Sequence, residues 1–507
     1  MKNRILCLMM TLALLACAVL SSCSSSDDGI HIQNTNDTLS PAVAVSHVNN
    51  LTEEVRGVWI ASVYNINFPS SPDLPEAKLK RELEDIVDKV LSYNMNTVYF
   101  QVHPASDALY RSDIFPVSEY LYSDGILHFD PLEYMIKLCR ENGIALYAWI
   151  NPLRVSVISS DTETEAISVL PKGSPGADKD LTVFYGDGKL YLDCGVKAVR
   201  DLVSETVKEI VRLYDVDGIV FDDYFYPYPV NDDSGNPYTF DDSASYAASG
   251  STLPLDDWRR ENVNQMIKQC YTEIKKIDPE IEFGVAPFGI WRNNDGTNGG
   301  SDTNGMEAYS ELYCDAVSWI KGKYVDFISP QLYWRCNSDV APFGELISFW
   351  STVADGTGVD VIVSHGVYQY ETWDSPKGEL NMQVELAREH ISYRGSMLYG
   401  YEALLDNTMG IGDDTSEVFG EQVLYYHASE YSEGIILSIN DNVVINKNTV
   451  MFDGYSDPNH SLSVNGTAVT RSHGGYFKCE LSLAEGENTF EFKCGDSSKT
   501  ITVINRN

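Results

Sequence analysis

The stretch DGIVFDDYFYPYP, residues 217–229, sets a short apolar run directly before two adjacent carboxylates. Gly218 to Phe221 have the composition of a buried β-strand. Asp222 and Asp223 follow where that strand should end, although a buried charge is costly. Four aromatic residues come within the next five positions, beginning with Tyr224. Either the acids take part in chemistry on a ligand that stacks on aromatic rings, or they only terminate the strand.

Seven other runs of the chain have the same character, and most of the gaps between runs hold amphipathic helical patterns. Near-continuous apolar strands that alternate with such helices predict a parallel sheet covered by helices. Eight units of this kind predict an α/β fold, a (β/α)8 TIM barrel. The eight runs span residues 56–62, 97–104, 145–152, 218–227, 282–289, 325–334, 360–368 and 395–404.

Each run ends in polar or aromatic residues. In such barrels the active site is built at the carboxyl ends of the strands and from the loops that follow them. Polar ends that simply meet water are the alternative for any single residue, but eight such ends together favour a site. The candidates at these ends are Gln101, His103, Trp149, Asn151, Asp222, Asp223, Tyr224, Gln331, Tyr333, His365 and Glu402.

Alternation along the fourth strand distinguishes its two acids. Every second side chain of a barrel strand points inward, so Val220, Asp222 and Tyr224 are predicted to face the lumen. Asp223 is then predicted to reach the rim loop or to pair with a helix. The stretch also resembles the chitinase-type motif Asp-Gly-x-Asp-x-Asp-x-Glu, with a tyrosine at position 224 in place of the catalytic glutamate. We therefore do not expect the substrate-assisted chitinase mechanism.

The first 23 residues have a basic start, a short apolar segment and small residues before a cysteine. This pattern predicts a secretory signal peptide over residues 1–22. Leu20 to Cys23 match the bacterial lipobox, which predicts a lipid on Cys23; an ordinary signal peptide with an incidental cysteine is the alternative. The polar residues 23–50 are predicted to form a flexible tether. We expect a protein of the cell envelope, periplasmic or surface-exposed and attached to a membrane only through this anchor.

Charge and motifs exclude several function classes. The chain has 36 Lys and Arg against 74 Asp and Glu, a formal net charge of -38. Such an excess repels phosphate backbones, so nucleic acid is not an expected partner. The sequence contains neither a His-Glu-x-x-His pattern nor a phosphate-binding loop, and we expect no metal and no cofactor.

The C-terminal residues 429–507 have a different pattern from the predicted barrel over residues 51–428. Short alternating runs separated by turn signals predict a small β-sandwich, Ig-like or carbohydrate-binding-like, that either binds glycan or braces the barrel. The runs YFKCEL and TFEFKC are predicted to pair as a hairpin. That pairing would set Cys479 opposite Cys494.

Several long motifs, taken together, resemble one known family. They include RGVWIASVYNINFPS, NTVYFQVHPASDALYRS, YAWINPLRV, YDVDGIVFDDYFYPYP, FGVAPFGIWRN and VDFISPQLYW. The chain is similar, from about Arg56 to Glu402, to the glycosyl-hydrolase-like family 10 lipoproteins. The resemblance implies a (β/α)8 glycosidase of bacterial glycans, including peptidoglycan strands. Two positions depart from the family pattern: His103 replaces a usual basic residue, and Ala198 replaces a carboxylate common among relatives.

Glycoside hydrolysis needs two carboxyl groups, one to protonate the leaving oxygen and one to act as nucleophile or water base. Asp222 is predicted to be the ionised partner, and the second carboxyl group is Glu402, Asp223 or Asp302. Stacking on sugar is predicted for Trp149, Tyr224, Tyr333 and Trp334, and polar contacts for Asn151, Arg154, Arg292 and Gln331.

The sequence thus predicts a lipid-anchored glycoside hydrolase of a bacterial cell-wall or other polysaccharide. The alternative is a glycan-binding lipoprotein on a catalytically inactive barrel. The adjacent acids Asp222 and Asp223 favour the enzyme, whereas Ala198 and Tyr224 keep the alternative open.

Overall fold

The computed structural model describes residues 54–297, 299–390, 392–420, 435–437, 441–445, 448–456, 460–470 and 476–506. The predicted signal peptide, the tether, Cys23 and the boundary between the two predicted domains lie outside these residues. The strands before residue 421 are β1 (Val55–Ile60), β2 (Thr97–His103), β3 (Ala145–Ile150), β4 (Thr182–Phe184), β5 (Leu190–Leu192), β6 (Gly218–Phe221), β7 (Glu282–Val285), β8 (Phe327–Ile328), β9 (Asp360–Gly366) and β10 (Tyr393–Tyr399).

Eight of these strands close a parallel barrel in the order β1-β10-β9-β8-β7-β6-β3-β2, while β4 and β5 form a separate antiparallel pair. The helices are α1 (Glu76–Ser92), α2 (Pro131–Asn142), α3 (Glu163–Ser168), α4 (Lys197–Leu213), α5 (Ser243–Ser249), α6 (Leu255–Ile277), α7 (Ala308–Glu311), α8 (Ala316–Gly322), α9 (Phe343–Ala354), α10 (Glu379–Arg388), α11 (Tyr401–Leu405) and α12 (Ile411–Val418). The predicted TIM barrel is confirmed.

Side chains of the barrel strands alternate between two cores. Along β3, Tyr147 and Trp149 belong to the small cluster that fills the barrel, with Trp59, Tyr99, Val220 and Phe327. Leu146 and Ile150 belong instead to the larger cluster shared with the helices. Strands buried on both faces can consist almost entirely of apolar residues, which explains the runs in the sequence.

Local signals set the helix ends. Asp130 caps α2, because its carboxylate accepts a hydrogen bond from the backbone N–H of Glu133 at 3.0 Å. Pro131 occupies the first helical position, and Gly143 ends the helix with φ 68°, a conformation that favours glycine. These ends agree with the sequence pattern.

The barrel strands are shorter than the runs that predicted them. β6 ends at Phe221 and β8 contains only Phe327 and Ile328, whereas the corresponding runs continued to residues 227 and 334. Beyond the strand ends only isolated backbone contacts continue, such as the bridges of Gln331 to Phe288 and to Ser364, so the side chains there need not keep the alternating register. These extensions build the site.

The C-terminal part contains β11 (Ile435–Leu437), β12 (Val443–Ile445), β13 (Thr449–Ser456), β14 (Leu462–Val464), β15 (Thr467–Ala468), β16 (Tyr476–Ser482), β17 (Gly486–Cys494) and β18 (Ser497–Asn505). They form a three-stranded sheet, β11-β13-β16, and a five-stranded sheet, β12-β18-β17-β14-β15. Phe452 and Phe477 of the first sheet contact Phe492 of the second, as expected for a sandwich.

The predicted hairpin of β16 and β17 is wrong. β16 pairs with β13 and places Cys479 opposite Phe452, whereas β17 pairs with β18 in the other sheet. Only Gly495 and Asp496 separate β17 from β18, and Gly495 has φ 55°. A two-residue turn with positive φ matches strand twist better than the longer connection after β16. Cys479 and Cys494 therefore lie in different sheets.

Candidate active site

A pocket of about 800 Å³ opens over the carboxyl ends of the barrel strands. Its walls come mainly from segments that follow β6, β7, β8 and β9, while Trp59, Trp149 and Tyr399 contribute from β1, β3 and β10. The lining residues are Trp59, Trp149, Asp222, Asp223, Tyr224, Tyr228, Phe288, Gln331, Tyr333, Trp334, Arg335, Asn337, Ser338, Tyr368, Gln369, Trp373 and Tyr399. Asp222 and Asp223 supply the carboxyl groups of this lining.

Asp222 is 4% exposed and its two carboxyl oxygens have different surroundings. Oδ2 accepts hydrogen bonds from Nε1 of Trp149 and Nδ2 of Asn151, both at 3.1 Å. Oδ1 has no hydrogen-bond partner among the described residues. Burial raises the pKa of Asp222 to about 7; the negative charge of Asp223 adds to the rise, and Arg154 opposes it. The sequence led us to expect an ionised Asp222, but this environment favours a protonated carboxyl group near neutral pH.

Asp223 also lines the pocket, at 2% exposure, and its carboxylate bonds to Tyr228 of the loop after β6, which agrees with the predicted contact to the rim loop rather than with pairing to a helix. The strand ends at Phe221, and adjacent side chains no longer point to opposite faces. Burial raises the pKa of Asp223, while hydrogen bonds from the Tyr228 hydroxyl and the Gln331 side chain lower it. Donors to a carboxylate stabilise its charged form. Asp223 is therefore better suited than Asp222 to carry the negative charge.

Asn151 and Arg154 lie behind the two acids. The side-chain oxygen of Asn151 accepts a hydrogen bond from the backbone N–H of Arg154 at 3.2 Å while its amide nitrogen holds Asp222. The Arg154 guanidinium donates to the carbonyl oxygen of Pro104 and lies 5.0 Å from the centre of the Tyr224 ring. These two residues fix the surroundings of the acids rather than line the pocket.

Aromatic rings form much of the remaining pocket wall. Tyr333 and Tyr399 are stacked, with ring centres 5.9 Å apart and an angle of 7° between the planes. Tyr368 meets both rings edge-on. Trp334 contacts Phe288 edge-on at 5.4 Å on another part of the lining. Such walls offer flat apolar surfaces with a few hydroxyl groups, which suits a ligand that is apolar on its faces and polar at its edges.

Two predicted binding residues, Gln101 and His103, are buried and do not line the pocket. Gln101 is completely buried, and its side-chain oxygen accepts hydrogen bonds from the backbone of Ser62 and Val63. His103 packs on Phe115, and burial lowers the pKa of its ring to about 3. Both histidine and glutamine therefore hold loops rather than a ligand.

His365 is likewise structural in its contacts. Its ring nitrogens are each 2.8 Å from a polar oxygen, one of Gln383 and one of Ser396. The ring also stacks on Phe343, and burial lowers its pKa to about 4. The residue joins the barrel wall to α9 and α10 and does not reach the pocket.

Two loop residues predicted to reach the ligand also lie away from the pocket. Asp302 is exposed, and its carboxylate accepts a hydrogen bond from Nδ2 of Asn294 at 2.6 Å, which keeps it within its own loop. The Arg292 guanidinium lies 4.6 Å from the centre of the Tyr309 ring. Neither side chain lines the pocket.

Glu402 does not end the eighth strand as predicted. β10 ends at Tyr399, and Gly400, with φ 124°, turns the chain so that Glu402 lies in the first turn of α11. A side chain at position 400 would meet the backbone of Tyr368, so the close approach requires glycine. Burial raises the pKa of Glu402, but the residue is not part of the pocket lining.

Sequence reasoning missed several lining residues that lie at or just after the ends of the barrel runs. Arg335 and Trp373 lie one and five residues beyond the predicted ends of their runs, and Tyr368 is the last residue of its run. Their spacing from a strand end was the only signal, because the folding of each loop back over the barrel is not visible in the pattern.

Comparison with known proteins gives related hydrolases. The chain is 35% identical over 376 residues to glycosyl hydrolase YngK of Bacillus subtilis (strain 168), covering 72% of this chain and 71% of that protein. It is 31% identical over 377 residues to glycosyl hydrolase DigH of Escherichia coli (strain K12), covering 71% and 82%. Among solved structures, the PgaB (BpsB) glycoside hydrolase domain from Bordetella bronchiseptica matches 72% of this chain and 98% of that chain, with 13% identity and a TM-score of 0.46.

The barrel, its pocket and the two sequence relatives YngK and DigH define the class of the protein: it is a glycoside hydrolase, as predicted. The family described as glycosyl hydrolase-like 10 matches residues 54–375. The chain belongs to this family.

Proposed function

We propose that the protein cleaves a bacterial cell-wall or other envelope polysaccharide, with Asp222 as general acid and Asp223 as nucleophile or water base. The observation that carries the proposal is the pair of buried carboxyl groups with unequal surroundings in one aromatic-walled pocket. Two carboxyl groups whose environments drive their proton affinities apart are the usual source of acid and base roles.

The role of acid follows from the contacts of Asp222. Its pKa of about 7 keeps the group protonated over the mildly acidic range. Both hydrogen-bond donors, Trp149 and Asn151, contact Oδ2, which leaves Oδ1 to carry the proton. In the reaction this proton passes to the glycosidic oxygen as the bond between that oxygen and the anomeric carbon breaks.

The second role falls to Asp223. Its carboxylate either bonds to the anomeric carbon or removes a proton from the water that attacks that carbon. The Tyr228 hydroxyl donates to Asp223, which supports the negative charge needed for either route. Tyr224, Tyr333 and Tyr399 offer rings on which the sugar faces can stack.

The binding-only alternative rested in part on Ala198, and the surroundings of that residue argue against it. Ala198 is an exposed residue in the first turn of α4 and does not line the pocket. The absence of a carboxylate at position 198 therefore does not change the pair of acids, Asp222 and Asp223, in the pocket. The two acids are both present in the pocket, which supports an active enzyme.

Attachment to a membrane stays a proposal that rests on the lipobox ending at Cys23. Within the described part of the chain, no helix is both long enough and apolar enough to cross a bilayer. The acidic composition gives no attraction to an anionic lipid surface. We propose a lipid on Cys23 as the attachment, which would place an envelope polysaccharide within reach as substrate.

The test is release of reducing ends from peptidoglycan glycan strands and from chitooligosaccharides by the purified chain. We expect the unmodified protein to release them and the Asp222→Asn variant to bind the same glycans without cutting them. Binding without any cleavage by the unmodified protein, across this panel, would instead establish the glycan-binding alternative. If the unmodified protein shows no binding and no cleavage of these glycans, a cell-wall substrate is refuted.

A further inference from the structure

The pocket described above covers one side only of the two acids. Its walls follow β6, β7, β8, β9 and β10, and the loops after β1, β2 and β3 contribute no wall to it. An enzyme that cuts between two sugars gains rate by holding the rings on both sides of the bond. The loops after the first three strands are therefore where a second sugar would lie.

We infer that Tyr64 and Tyr120 form a second sugar-binding subsite, on the opposite side of the acids from the pocket, and that the enzyme cuts within a chain. The inference rests on the proposed function and extends it, since it names a polymer that spans both subsites as the substrate class. Its ligand is an uncharged sugar ring that presents an apolar face to an aromatic ring.

Tyr64 is an aromatic side chain left in the open. It is 42% exposed in the loop after β1, and its ring meets that of Tyr120 edge-on at 6.2 Å. Its hydroxyl donates to the carbonyl oxygen of Val157 at 2.5 Å, which fixes the ring in place. An exposed ring with a fixed orientation binds a flat apolar surface at little cost in conformational entropy.

The backbone that carries this ring is strained. Tyr64 and Asn65 have φ values of 56° and 52°, a left-handed conformation that residues other than glycine rarely adopt. Strain of this kind persists only where the surroundings impose it, and it concentrates at functional sites. The surroundings here are specific: Nδ2 of Asn65 donates to the carbonyl oxygens of Pro69 and Tyr120.

Gln101 braces the same loop from inside the barrel. Its side-chain oxygen accepts hydrogen bonds at 3.0 Å from the backbone of both Ser62 and Val63, directly before Tyr64. The buried glutamine predicted to bind substrate thus acts as a positioning residue for the exposed ring. Such a brace has no evident purpose for a loop that only connects a strand to a helix.

Arg154 connects the two subsites. Its guanidinium lies over Tyr224, which lines the pocket, and its backbone N–H bonds to Asn151, which holds Asp222. The loop that carries Arg154 also carries Val157, whose carbonyl oxygen accepts the hydrogen bond of the Tyr64 hydroxyl, so Tyr64 lies beside this loop. A chain leaving the pocket past Tyr224 would therefore reach Tyr64.

The experiment compares Tyr64→Ala with the unmodified protein on short and long chitooligosaccharides and on peptidoglycan glycan strands. On long chains we expect kcat/KM to fall about tenfold, the loss typical of truncating an aromatic anchor. On a disaccharide derivative with a chromogenic leaving group, which fills the pocket alone, we expect no change. Tyr64→Phe keeps the ring and should retain most of the activity on long chains.

Tyr134→Ala is the matched control, because Tyr134 is a partly exposed tyrosine of α2 whose hydroxyl donates to Glu84 on the outside of the barrel. It should behave as the unmodified protein on every substrate. Equal activity of Tyr64→Ala and the unmodified protein on long chains would overturn the subsite. A loss of equal size on short and long substrates would also overturn it, since the loop would then only support the acids. An unmodified protein that cuts no glycan at all would instead refute the proposed function.

A binding measurement separates the subsite from catalysis. With Asp222→Asn as the common background, adding Tyr64→Ala should weaken the affinity for a long chitooligosaccharide about tenfold and leave that for chitobiose unchanged. An affinity that does not depend on position 64 would contradict the subsite.

Discussion

Replacement of Asp222 by asparagine should abolish turnover and, above neutral pH, stabilise the fold. The amide can place its oxygen where Oδ2 now accepts from Trp149 and Asn151, and its nitrogen where Oδ1 has no partner. The variant therefore keeps the hydrogen bonds and loses only the proton to be donated. Loss of a general acid costs about 10²- to 10⁴-fold in kcat.

The stability effect follows from the pKa of Asp222, which burial raises from 3.8 to about 7. Between these two pH values the unfolded chain has lost the proton while the folded protein still holds it. Rising pH therefore stabilises the unfolded state relative to the folded state until the folded carboxyl group also ionises near pH 7. A pKa that differs by about three between the two states corresponds to about 4 kcal/mol. Asparagine does not titrate, so the free energy of unfolding of the variant does not fall with pH for this reason.

The measurement is the free energy of unfolding in denaturant for both proteins at about pH 4 and about pH 8. We expect the difference between variant and unmodified protein to shift by about 4 kcal/mol in favour of the variant at the higher pH. Buried acids distant from position 222 titrate equally in both proteins and cancel in this difference, whereas Asp223 interacts with Asp222 and its titration is part of the measured shift.

Asp107→Asn is a matched control outside the pocket. Burial raises the pKa of Asp107 to about 6, so its amide variant should gain stability over a similar range without losing activity. If Asp222→Asn kept its turnover, Asp222 would not be the acid. A stability difference that did not change with pH would show that the carboxyl group is not held protonated.

Three further outcomes are expected. Tyr228→Phe removes the hydroxyl donor to Asp223 and should raise the pKa of that carboxyl group, which shifts the acidic limb of the pH–rate profile to higher pH; an unmoved limb would exclude Asp223 as the ionised group. Ala198→Glu introduces the carboxylate that the family resemblance implies at this position, but position 198 lies outside the pocket, so kcat and KM should stay unchanged; a large gain in kcat would mean that a carboxylate there is catalytic. Cys23→Ser should move the protein from the membrane to the soluble fraction in cell fractionation, and persistent membrane association would refute the lipobox interpretation.

The fold could be predicted from sequence because its signals are local and repeated. Eight apolar runs, helix caps such as Asp130 and the glycine at position 143 each report on a few neighbouring residues. The hairpin prediction in the C-terminal part failed where two turns competed. The short turn at Gly495 joins β17 to β18 as the hairpin. The sequence of β16 contains no signal that predicts pairing with β13, which is distant along the chain.

The site was predictable only as far as the strand register extends. Trp149 and Asp222 lie on or directly after their strands and came out in the pocket, as the alternation required. Asp223 and Glu402 lie beyond the last ladder hydrogen bond, where the turn at Phe221 or Gly400 decides the direction of each side chain. Gln101 lies near the end of its strand, as predicted. Its side chain, however, accepts a hydrogen bond from the backbone of Ser62 in the loop after β1, a contact that the sequence pattern does not reveal.

The two ends of the barrel treat buried charge in opposite ways, which identifies the reactive end on physical grounds. At the amino end, Glu282 receives hydrogen bonds from Arg394 and Tyr147, and Glu54 is bound by two arginines, so each charge is compensated. At the carboxyl end, Asp222 keeps one oxygen without a partner and an elevated pKa. The partners at the amino end offset the cost of burying each charge, whereas burial of Asp222 with one oxygen unpartnered favours its protonated form. The barrel therefore compensates charge at one end and holds a proton ready to transfer at the other.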